Sequence, residues 1–471
     1  MLKRLMTNVP VDNDKIQTSV DGEELSSRMV TEDVSRDFFR IGPTYRGVLL
    51  VLGAVFVVGI FAFVLRAVDG FGDSERREWG YYSAMFAFLL ITAGSAPLVA
   101  VTLRLTKNHW RRPFSRISEL YAVVGLLSLL WFLPLMALLP PLEGRKSLWG
   151  PDNFIGAPIW WDFFAVLFLV ICGLSLLVLS AIPDMATLAR NGDGGPRSRF
   201  LGRIAGFWRG TEAQWNYHRL GLTALGAFYF MLLVMVQTMI NVDFVMSLVP
   251  GWKDSIMPAH QALTGFQTAV GSVLVAAFLL RVFGGYKKYI PMESFWAISK
   301  ILLGLSLLWG YFWFSGFITF WYGRTPVEQI VLKTFMFESY KVPFLLNIFF
   351  SFLIPVAMLI WNPVRKSVIG PTIAGASVIL GAFFMTIRLY VPAFGIEDVR
   401  ATALETVPLA ITPDALDIFI ILGGLAGAGL IFMLATKIFP IISIWEIKEG
   451  LLYQRVRPLL RGRYLVLGKP D

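Results

Sequence analysis

Ionisable side chains interrupt the long apolar segments of this chain, where an unpaired charge is costly. The clearest cases are Asp162, Asp243, Lys300 and Arg388. Charged groups at such positions usually face the interior of a helix bundle, where they bind ions, move protons or pair with each other. These four residues are therefore the first candidates for chemistry. For Lys300 and Arg388, the alternative is a structural ion pair that locks helices together.

A stripe of polar residues follows one of these charges at helical spacing. The stripe consists of Lys300, Gly304, Tyr311, Ser315, Thr319 and Tyr322. Steps of three, four and seven residues put all six on one face of a helix. Hydroxyl groups both donate and accept hydrogen bonds, which a chain of proton transfers requires. Close packing of helices through small residues is the alternative interpretation.

Polar residues at helical spacing in two further segments extend this pattern. Gln237 and Asn241 lie one helical turn apart, and a second segment carries Gln261, Thr264, Thr268 and Ser272. We therefore predict a transmembrane proton path. Its members are Asp162, Asp243, Lys300, Arg388, Glu293, Tyr311, Ser315, Thr319, Gln237 and Asn241. Asp162 and Asp243 are expected to exchange protons at the outer side with Arg388 as their electrostatic partner, and Lys300 with Glu293 is expected to form the inner entry.

Other chemistry finds little support in the residue types. Glu119, Asp184 and His218 lie beside arginine-rich loops, where helix caps or ion pairs are the alternative to a functional role. The single cysteine excludes a disulfide framework and an intrachain cysteine-rich metal site. Three scattered histidines are too few for a multihaem protein. We predict no catalytic residue, bound cofactor or metal in this chain.

The elements that must position these residues are membrane helices. Of the 471 residues, 56% are hydrophobic and 16% are charged, against roughly 25% charged in an ordinary soluble domain. Ten segments are long and apolar enough to cross a bilayer core, which takes about 20 residues in a helix. They are 46–65, 79–103, 117–139, 159–188, 220–249, 261–283, 295–322, 342–361, 368–391 and 415–439. We predict an all-α integral membrane protein and call these segments spans 1 to 10.

Lysine and arginine set the predicted orientation. Counted with the adjoining helix ends, the loops after spans 2, 4, 6 and 8 hold 16 of them, the opposite loops hold 10, and each terminal segment adds seven to the first side. Short loops rich in lysine and arginine stay on the cytoplasmic side of a membrane, so both termini are predicted to be cytoplasmic. The expected regions are a cytoplasmic arm at 1–45, the ten-helix domain at 46–440 and an amphipathic tail at 441–471. The net charge of +10 comes from the basic segments that flank the membrane helices and contact lipid. Nucleic-acid binding is therefore not expected.

Four sequence runs resemble a known family. They are IWWDFFA at 159–165, IPDMATL at 182–188, WRGTEAQW at 208–215 and VDFVMSLVPGW at 242–252. They are similar to the NrfD/PsrC-type quinone-associated membrane subunits, above all to ActC and ActF of alternative complex III. The resemblance covers roughly residues 79–391. It implies two four-helix bundles with flanking helices, in a bacterial inner-membrane complex that oxidises quinol and reduces a cytochrome or an oxidase.

The same resemblance implies partners and their cofactors. The partners would be an ActC-like quinol-binding paralogue, an iron–sulfur protein, a multihaem cytochrome c and small membrane subunits. Menaquinone, haem c and iron–sulfur clusters would then belong to those partners and not to this chain.

Departures from the family pattern decide which member this chain resembles most. The quinol-binding subunit carries a His-Ala-Gly-Thr motif in its second helix, whereas this chain reads Thr92-Ala-Gly-Ser95. The acid–base pair before the lysine of its seventh helix is Ser294-Phe-Trp296 here. Asp162 and Asp243 match its carboxylates, but the histidine is missing. The chain thus resembles ActF, a non-catalytic or proton-conducting subunit that braces the complex without an intact quinol site.

Two alternatives stay open at this point. The chain could bind menaquinone itself at Asp162 and Asp243, as an NrfD/PsrC-type anchor does. It could also be an independent secondary transporter, which would need a substrate site at a broken helix near the membrane midplane.

Overall fold

The computed structural model describes residues 17–18, 24–72, 75–138, 158–192, 194–249, 252–396, 407–459 and 462–467. Ten helices within these ranges are long and apolar enough to cross a membrane. Each overlaps its predicted segment, which confirms the ten spans. Their bounds are Pro43–Asp69, Arg76–Leu105, His109–Leu135, Trp160–Asn191, Glu212–Met246, Met257–Val282, Met292–Gly323, Lys341–Leu359, Ile369–Gly395 and Ala415–Ala435.

Shorter elements connect and flank the spans. The helices are Ser27–Phe39, Pro196–Ala205, Pro326–Leu332, Asn362–Arg365 and Ile444–Tyr453. Antiparallel strand pairs form between Gln17–Thr18 and Glu24–Leu25, and between Gln454–Leu459 and Gly462–Leu467. The described part of the predicted amphipathic tail is therefore a short helix followed by two paired strands. Residues 1–16 and 19–23 of the predicted arm lie outside the described ranges.

The spans are arranged as two four-helix bundles with a flanking pair, as predicted. Spans 2 to 5 pack on one another, spans 6 to 9 form the second bundle, and span 9 also packs on span 2. We call the end of the bundles that carries Arg104, Arg111 and Arg116 the basic end, and the end that carries Asp162 and Asp243 the opposite end. That the basic end faces the cytoplasm stays a prediction.

Spans 1 and 10 form the flanking pair, held by close backbone contact and by charge. A Cβ atom added at Gly59 would lie 2.5 Å from the Cα atom of Gly423, so only glycine allows this helix crossing. At the opposite end, Arg66 of span 1 pairs with Asp414 at 2.6 Å and with Asp417 at 3.2 Å. The intramembrane charge of Asp417 thus has a structural role.

Span 2 is the most enclosed helix, and it is broken. Residues 79–101 are all buried, and the helix stops at Thr92 and resumes at Pro97. Carbonyl groups freed by such a break need donors, because hydrocarbon offers none. Side chains of spans 3, 5 and 6 supply them: Ser118 to Ala96, Tyr229 to Gly94, Gln237 to Leu90 and Thr268 to Ile91. The segment Thr92-Ala-Gly-Ser95 therefore sits at a hydrogen-bonded junction between the two bundles.

Candidate functional site

Two aspartates from neighbouring spans meet at the opposite end of the first bundle. Asp162 lies near the start of span 4 and is fully buried; Asp243 lies near the end of span 5 and is 8% exposed. Their side chains are adjacent. Span 5 ends in the wide helical turn Val242–Met246, which carries Asp243. Neither carboxyl oxygen of Asp162 has a well-aligned hydrogen-bond partner among the described residues.

A chain of hydrogen bonds runs beside this carboxyl pair. The hydroxyl of Tyr390 donates to Oδ1 of Asn241 at 3.2 Å, and Nδ2 of Asn241 donates to the backbone carbonyl of Gln237 at 2.6 Å. Nε2 of Gln237 donates to the carbonyl of Leu90 at 3.3 Å. Gln237 and Asn241 are both buried, and their place in a proton path stays a prediction. Sequence reasoning missed Tyr390; its one signal was its position two residues after Arg388.

Arg388 does not join the two aspartates, which corrects the expectation that it is their electrostatic partner. Its side chain is 3% exposed and lies 5.4 Å from the centroid of the Phe344 ring. Nε and Nη1 have no hydrogen-bond partner, and no ion pair involves this guanidinium within the ranges that the structure describes. Residues two apart on a helix point about 200° apart, so Arg388 faces the second bundle while Tyr390 faces the first.

Arg388 instead lines a cleft at the opposite end of the second bundle. The cleft is narrow, with a cavity volume of about 50 Å³, and lies between spans 6, 7 and 9 and the segment 326–337. His260 and Gln261 of span 6 also line it, and both are buried. Its remaining walls are mainly aromatic: Trp252, Phe312, Trp313, Phe317, Phe320 and Phe335.

The polar stripe of span 7 lies on the outside of the protein. Tyr311 is 64% exposed, and Lys300 and Thr319 are exposed as well, whereas Ser315 is half-buried. The inward face of the span is formed by other residues, because Ser306 and Trp309 bond to Gln267 and Thr264 of span 6. The stripe therefore encloses no path within the described part of this chain.

Lys300 forms no interhelical ion pair with any residue that the structure describes, which corrects that alternative. Its Nζ lies 3.7 Å from the centroid of the Trp296 ring, one turn earlier on the same helix. Glu293 is in the first turn of span 7, where the helix dipole stabilises its negative charge. The structure shows no contact between these two predicted members of the inner entry among the residues it describes.

Glu119 and Asp184 belong to a buried ion network at the basic end. Arg104 pairs with Glu119 at 2.7 Å and with Glu446 at 2.9 Å, and Arg116 pairs with Asp184 at 2.9 Å. The structural alternative, ion pairs with arginines, is therefore the one observed. The network attaches the helix Ile444–Tyr453 to the bundle, because Glu446 belongs to this helix and its buried carboxylate pairs with Arg104 of span 2.

This network sets the charge state of the Glu446 carboxyl group. Burial alone would raise the pKa of this carboxyl, but Arg111 and Arg104 outweigh burial and lower its pKa to about 2. Glu446 is thus ionised at neutral pH, with Arg111 at 2.7 Å and Arg104 at 2.9 Å. A charge held this firmly stabilises structure and does not exchange protons near pH 7.

His218 sits in an aromatic box beside the same network. Its Nε2 lies 3.1 Å from the carbonyl oxygen of Leu179. The rings of Trp208, Trp215 and Trp445 surround the imidazole, and their centroids lie 5.3 to 5.5 Å from the centroid of its ring. The residue is buried and makes no ion pair in the described structure. It contributes to the attachment of the C-terminal helix through Trp445.

The architecture and site together define a multi-pass membrane protein. No family model matches the chain. It is similar to a protein of Archaeoglobus fulgidus that is named Hdr-like menaquinol oxidoreductase integral membrane subunit. The two are 22% identical over 423 residues, which cover 86% of this chain and 95% of the relative. The similarity thus extends over most of both chains.

Proposed function

We propose that this chain is a membrane subunit of a menaquinol-oxidising complex of the alternative complex III type. The observation that carries the proposal is the buried carboxyl pair of Asp162 and Asp243. The two-bundle fold and the similarity to a menaquinol oxidoreductase subunit support it. The chain resembles ActF, and its partners would include an ActC-like paralogue, an iron–sulfur protein, a multihaem cytochrome c and small membrane subunits.

The role proposed for the carboxyl pair is proton exchange. Two adjacent carboxyl groups away from water cannot both be ionised without a large repulsion, so the pair retains one shared proton. Gain and loss of that proton change the charge by one at a site near the membrane surface. Tyr390 and Asn241 hold the neighbouring backbone of spans 5 and 9 in place. Electrons from quinol would pass through cofactors of the partner subunits.

The proton path along span 7 is proposed to lie at an interface. Lys300, Tyr311, Ser315 and Thr319 point outward, so another subunit would have to cover them to exclude lipid. In the assembled complex, Lys300→Met is then expected to lower proton transfer and leave quinol oxidation largely intact. Unchanged proton transfer in this variant would remove span 7 from the path.

The proposal is tested by purification of the affinity-tagged chain from its native membranes. Mass spectrometry should identify iron–sulfur and multihaem cytochrome subunits in the same particle, and the visible spectrum should show c-type haem. A free monomer that takes up a solute after reconstitution would contradict the proposal and favour a secondary transporter.

A second candidate function is an anchor that binds menaquinol directly at Asp162 and Asp243. The supporting observation is that both Asp162 oxygens are buried and lack a well-aligned hydrogen-bond partner in the described structure, so they could accept from a quinol hydroxyl. Crosslinks from a photoreactive quinone to peptides of spans 4 and 5 would favour this function. Their absence from a fully assembled complex would oppose it.

A further inference from the structure

A cavity at the basic end lies where the helix Ser27–Phe39, which we call the arm helix, meets three spans. Span 1 begins at Pro43, span 6 ends at Val282 and span 10 ends at Ala435, all at this end. The cavity has a volume of about 430 Å³, within the usual range of roughly 300–1,000 Å³ for ligand sites. Its polar and small lining residues are Asp37, Arg40, Gly42, Tyr45, Tyr286 and Lys437. Because it lies level with the ends of membrane helices, the cavity faces the headgroup layer of the bilayer.

Positive charge predominates around this cavity. Arg40 and Lys437 line it. Burial lowers the pKa of the Lys437 ammonium group, and the nearby Arg197 lowers that pKa further. Asp37 is the only carboxylate among the described lining residues, and the side chain of Tyr286 lies beside it. Three cations around one carboxylate favour an anionic occupant.

Lys437 is held by neutral groups, which leave its charge uncompensated. Its Nζ donates to the backbone carbonyls of Asp37 and Arg40, each at 2.9 Å, and lies 5.0 Å from the centroid of the Tyr45 ring. The two carbonyls belong to the C-terminal end of the arm helix, where a positive charge is favourable. An ammonium group has three N–H donors, so one more acceptor is needed to complete its hydrogen bonds.

The nearby carboxylate of Asp33 does not supply this acceptor. It pairs with Lys288 and, at 3.3 Å, with Arg36. The Tyr289 hydroxyl also donates to it at 2.8 Å. Asp33 therefore attaches the arm helix to the segment after span 6 and leaves the cations of the cavity unpaired.

The apolar part of the lining distinguishes a lipid from a small inorganic anion. Phe38, Phe283 and Ile441 line the cavity beside the basic groups. Phe283 is 79% exposed, and Ile438, which follows Lys437 in the chain, is 44% exposed. Aromatic and basic side chains together are typical of the headgroup layer, and basic pockets between membrane helices bind anionic headgroups. An occupant with a phosphate and acyl chains fits both parts of this lining.

We propose that this cavity binds the phosphate headgroup of an anionic phospholipid. The phosphate oxygens accept from Arg40 and Lys437, and the acyl chains run along the exposed side chains of Phe283 and Ile438. Because Lys437 also holds the end of the arm helix, the bound lipid stabilises the attachment of that helix to the spans. The inference is independent of the proposed function, since it uses none of the residues assigned to proton exchange.

Gly42 supplies a test in which only the charge differs. It lines the cavity, and a Cβ atom added there would meet nothing within 4 Å. It is also the N-cap residue of span 1, where aspartate and asparagine are about equally favourable. Gly42→Asp therefore adds a negative charge to the cavity, and Gly42→Asn adds a neutral side chain of the same shape.

Arg40 supplies a second and independent variant. Its side chain is exposed, and its contact with Lys437 is made by the backbone, so Arg40→Gln removes a cation without removing that hydrogen bond. Arg209→Gln is the matched control, because Arg209 is also exposed at the basic end and does not line the cavity.

The experiment labels the purified protein, with the partners that accompany it, in phosphatidylcholine nanodiscs that contain a photoreactive phosphatidylglycerol. Saturable labelling of peptides within 34–45, 283–286 or 436–441 is expected. Unlabelled phosphatidylglycerol should compete, and inorganic phosphate should not. Gly42→Asp should lower the labelling by about tenfold relative to Gly42→Asn. Arg40→Gln should lower it by about fivefold, the equivalent of about 1 kcal/mol for one basic residue near a membrane surface, and Arg209→Gln should not change it.

Four results would overturn the proposal. They are the absence of saturable labelling in these peptides, equal labelling by a photoreactive phosphatidylcholine, competition by inorganic phosphate, and equal labelling of Gly42→Asp and Gly42→Asn. The second would mean unselective contact with bulk lipid, and the third would mean that the cavity holds a free anion.

Discussion

Arg388 and Tyr390 lie two residues apart on span 9 and serve different sites. The hydroxyl of Tyr390 donates to Asn241 at 3.2 Å beside the carboxyl pair, whereas Arg388 lies 5.4 Å from the Phe344 ring and lines the aromatic cleft. Span 9 packs on spans of both bundles. One helix therefore connects the proposed proton-exchange site to the aromatic cleft, and a shift of span 9 would affect both.

The carboxyl pair can be tested with an isosteric change. Asp243→Asn removes the titrating group but keeps its shape, so proton release during quinol oxidation by the reconstituted complex should fall by about tenfold or more. Quinol oxidation with an artificial acceptor should change far less. Asp69→Asn is the control, because Asp69 is an exposed carboxylate at the same end. Normal proton release in both Asp162→Asn and Asp243→Asn would contradict the proposed exchange role.

The broken helix of span 2 makes one glutamine structural. Gln237→Leu leaves the buried carbonyl of Leu90 without its donor and should lower the free energy of unfolding by about 1–3 kcal/mol. Thermal unfolding of the detergent-solubilised protein measures the loss. Gln261→Leu is the matched control, since its amide has no partner to lose and stability should not fall. Equal destabilisation by the two variants would contradict the assignment.

The crossing of spans 1 and 10 depends on two glycines. Gly59→Val would drive a side chain into Gly423, 2.5 Å from the new Cβ atom, and should destabilise the pair by about 1–3 kcal/mol. Faster hydrogen exchange in span 1 is the expected observation. Gly53→Val is the control on the same helix, where an added Cβ atom meets nothing within 4 Å. Equal hydrogen-exchange rates in span 1 of the two variants would show that the contact between Gly59 and Gly423 does not stabilise the pair.

The ion network at the basic end predicts a pH dependence. Glu446→Gln leaves Arg104 and Arg111 without their buried partner and should cost about 3 kcal/mol at pH 7. The folded-state pKa of about 2 is below the ordinary value of 4.5, so the stabilisation is present above about pH 4.5 and disappears as the pH falls towards 2. The difference in melting temperature between the unmodified protein and the variant should shrink over that interval.

Glu449→Gln is the control for this prediction. Its carboxylate is 21% exposed and lies 3.4 Å from Arg112 and 3.9 Å from Arg111, so its loss should cost less than about 1 kcal/mol. A larger effect for Glu449→Gln than for Glu446→Gln would be inconsistent with the network as described.

The sequence by itself determined the ten spans and the positions of the rare intramembrane charges. Crossing a bilayer is a local requirement for apolar length, so hydropathy reveals it without knowledge of the fold. Depth could also be counted along each helix, which brought Asp162 and Asp243 to the same end. The resemblance to the family added the two bundles, which the structure contains.

Only the tertiary structure decided which face of each helix points inward. Spacing placed Lys300, Tyr311 and Thr319 on one face of span 7, but the face that is buried is the one whose Ser306 and Trp309 bond to span 6. Likewise, Arg388 stands apart from the aspartates because span 9 is rotated with Tyr390 towards Asn241. Helix rotation depends on contacts between segments distant in sequence, and a periodic pattern contains no record of them.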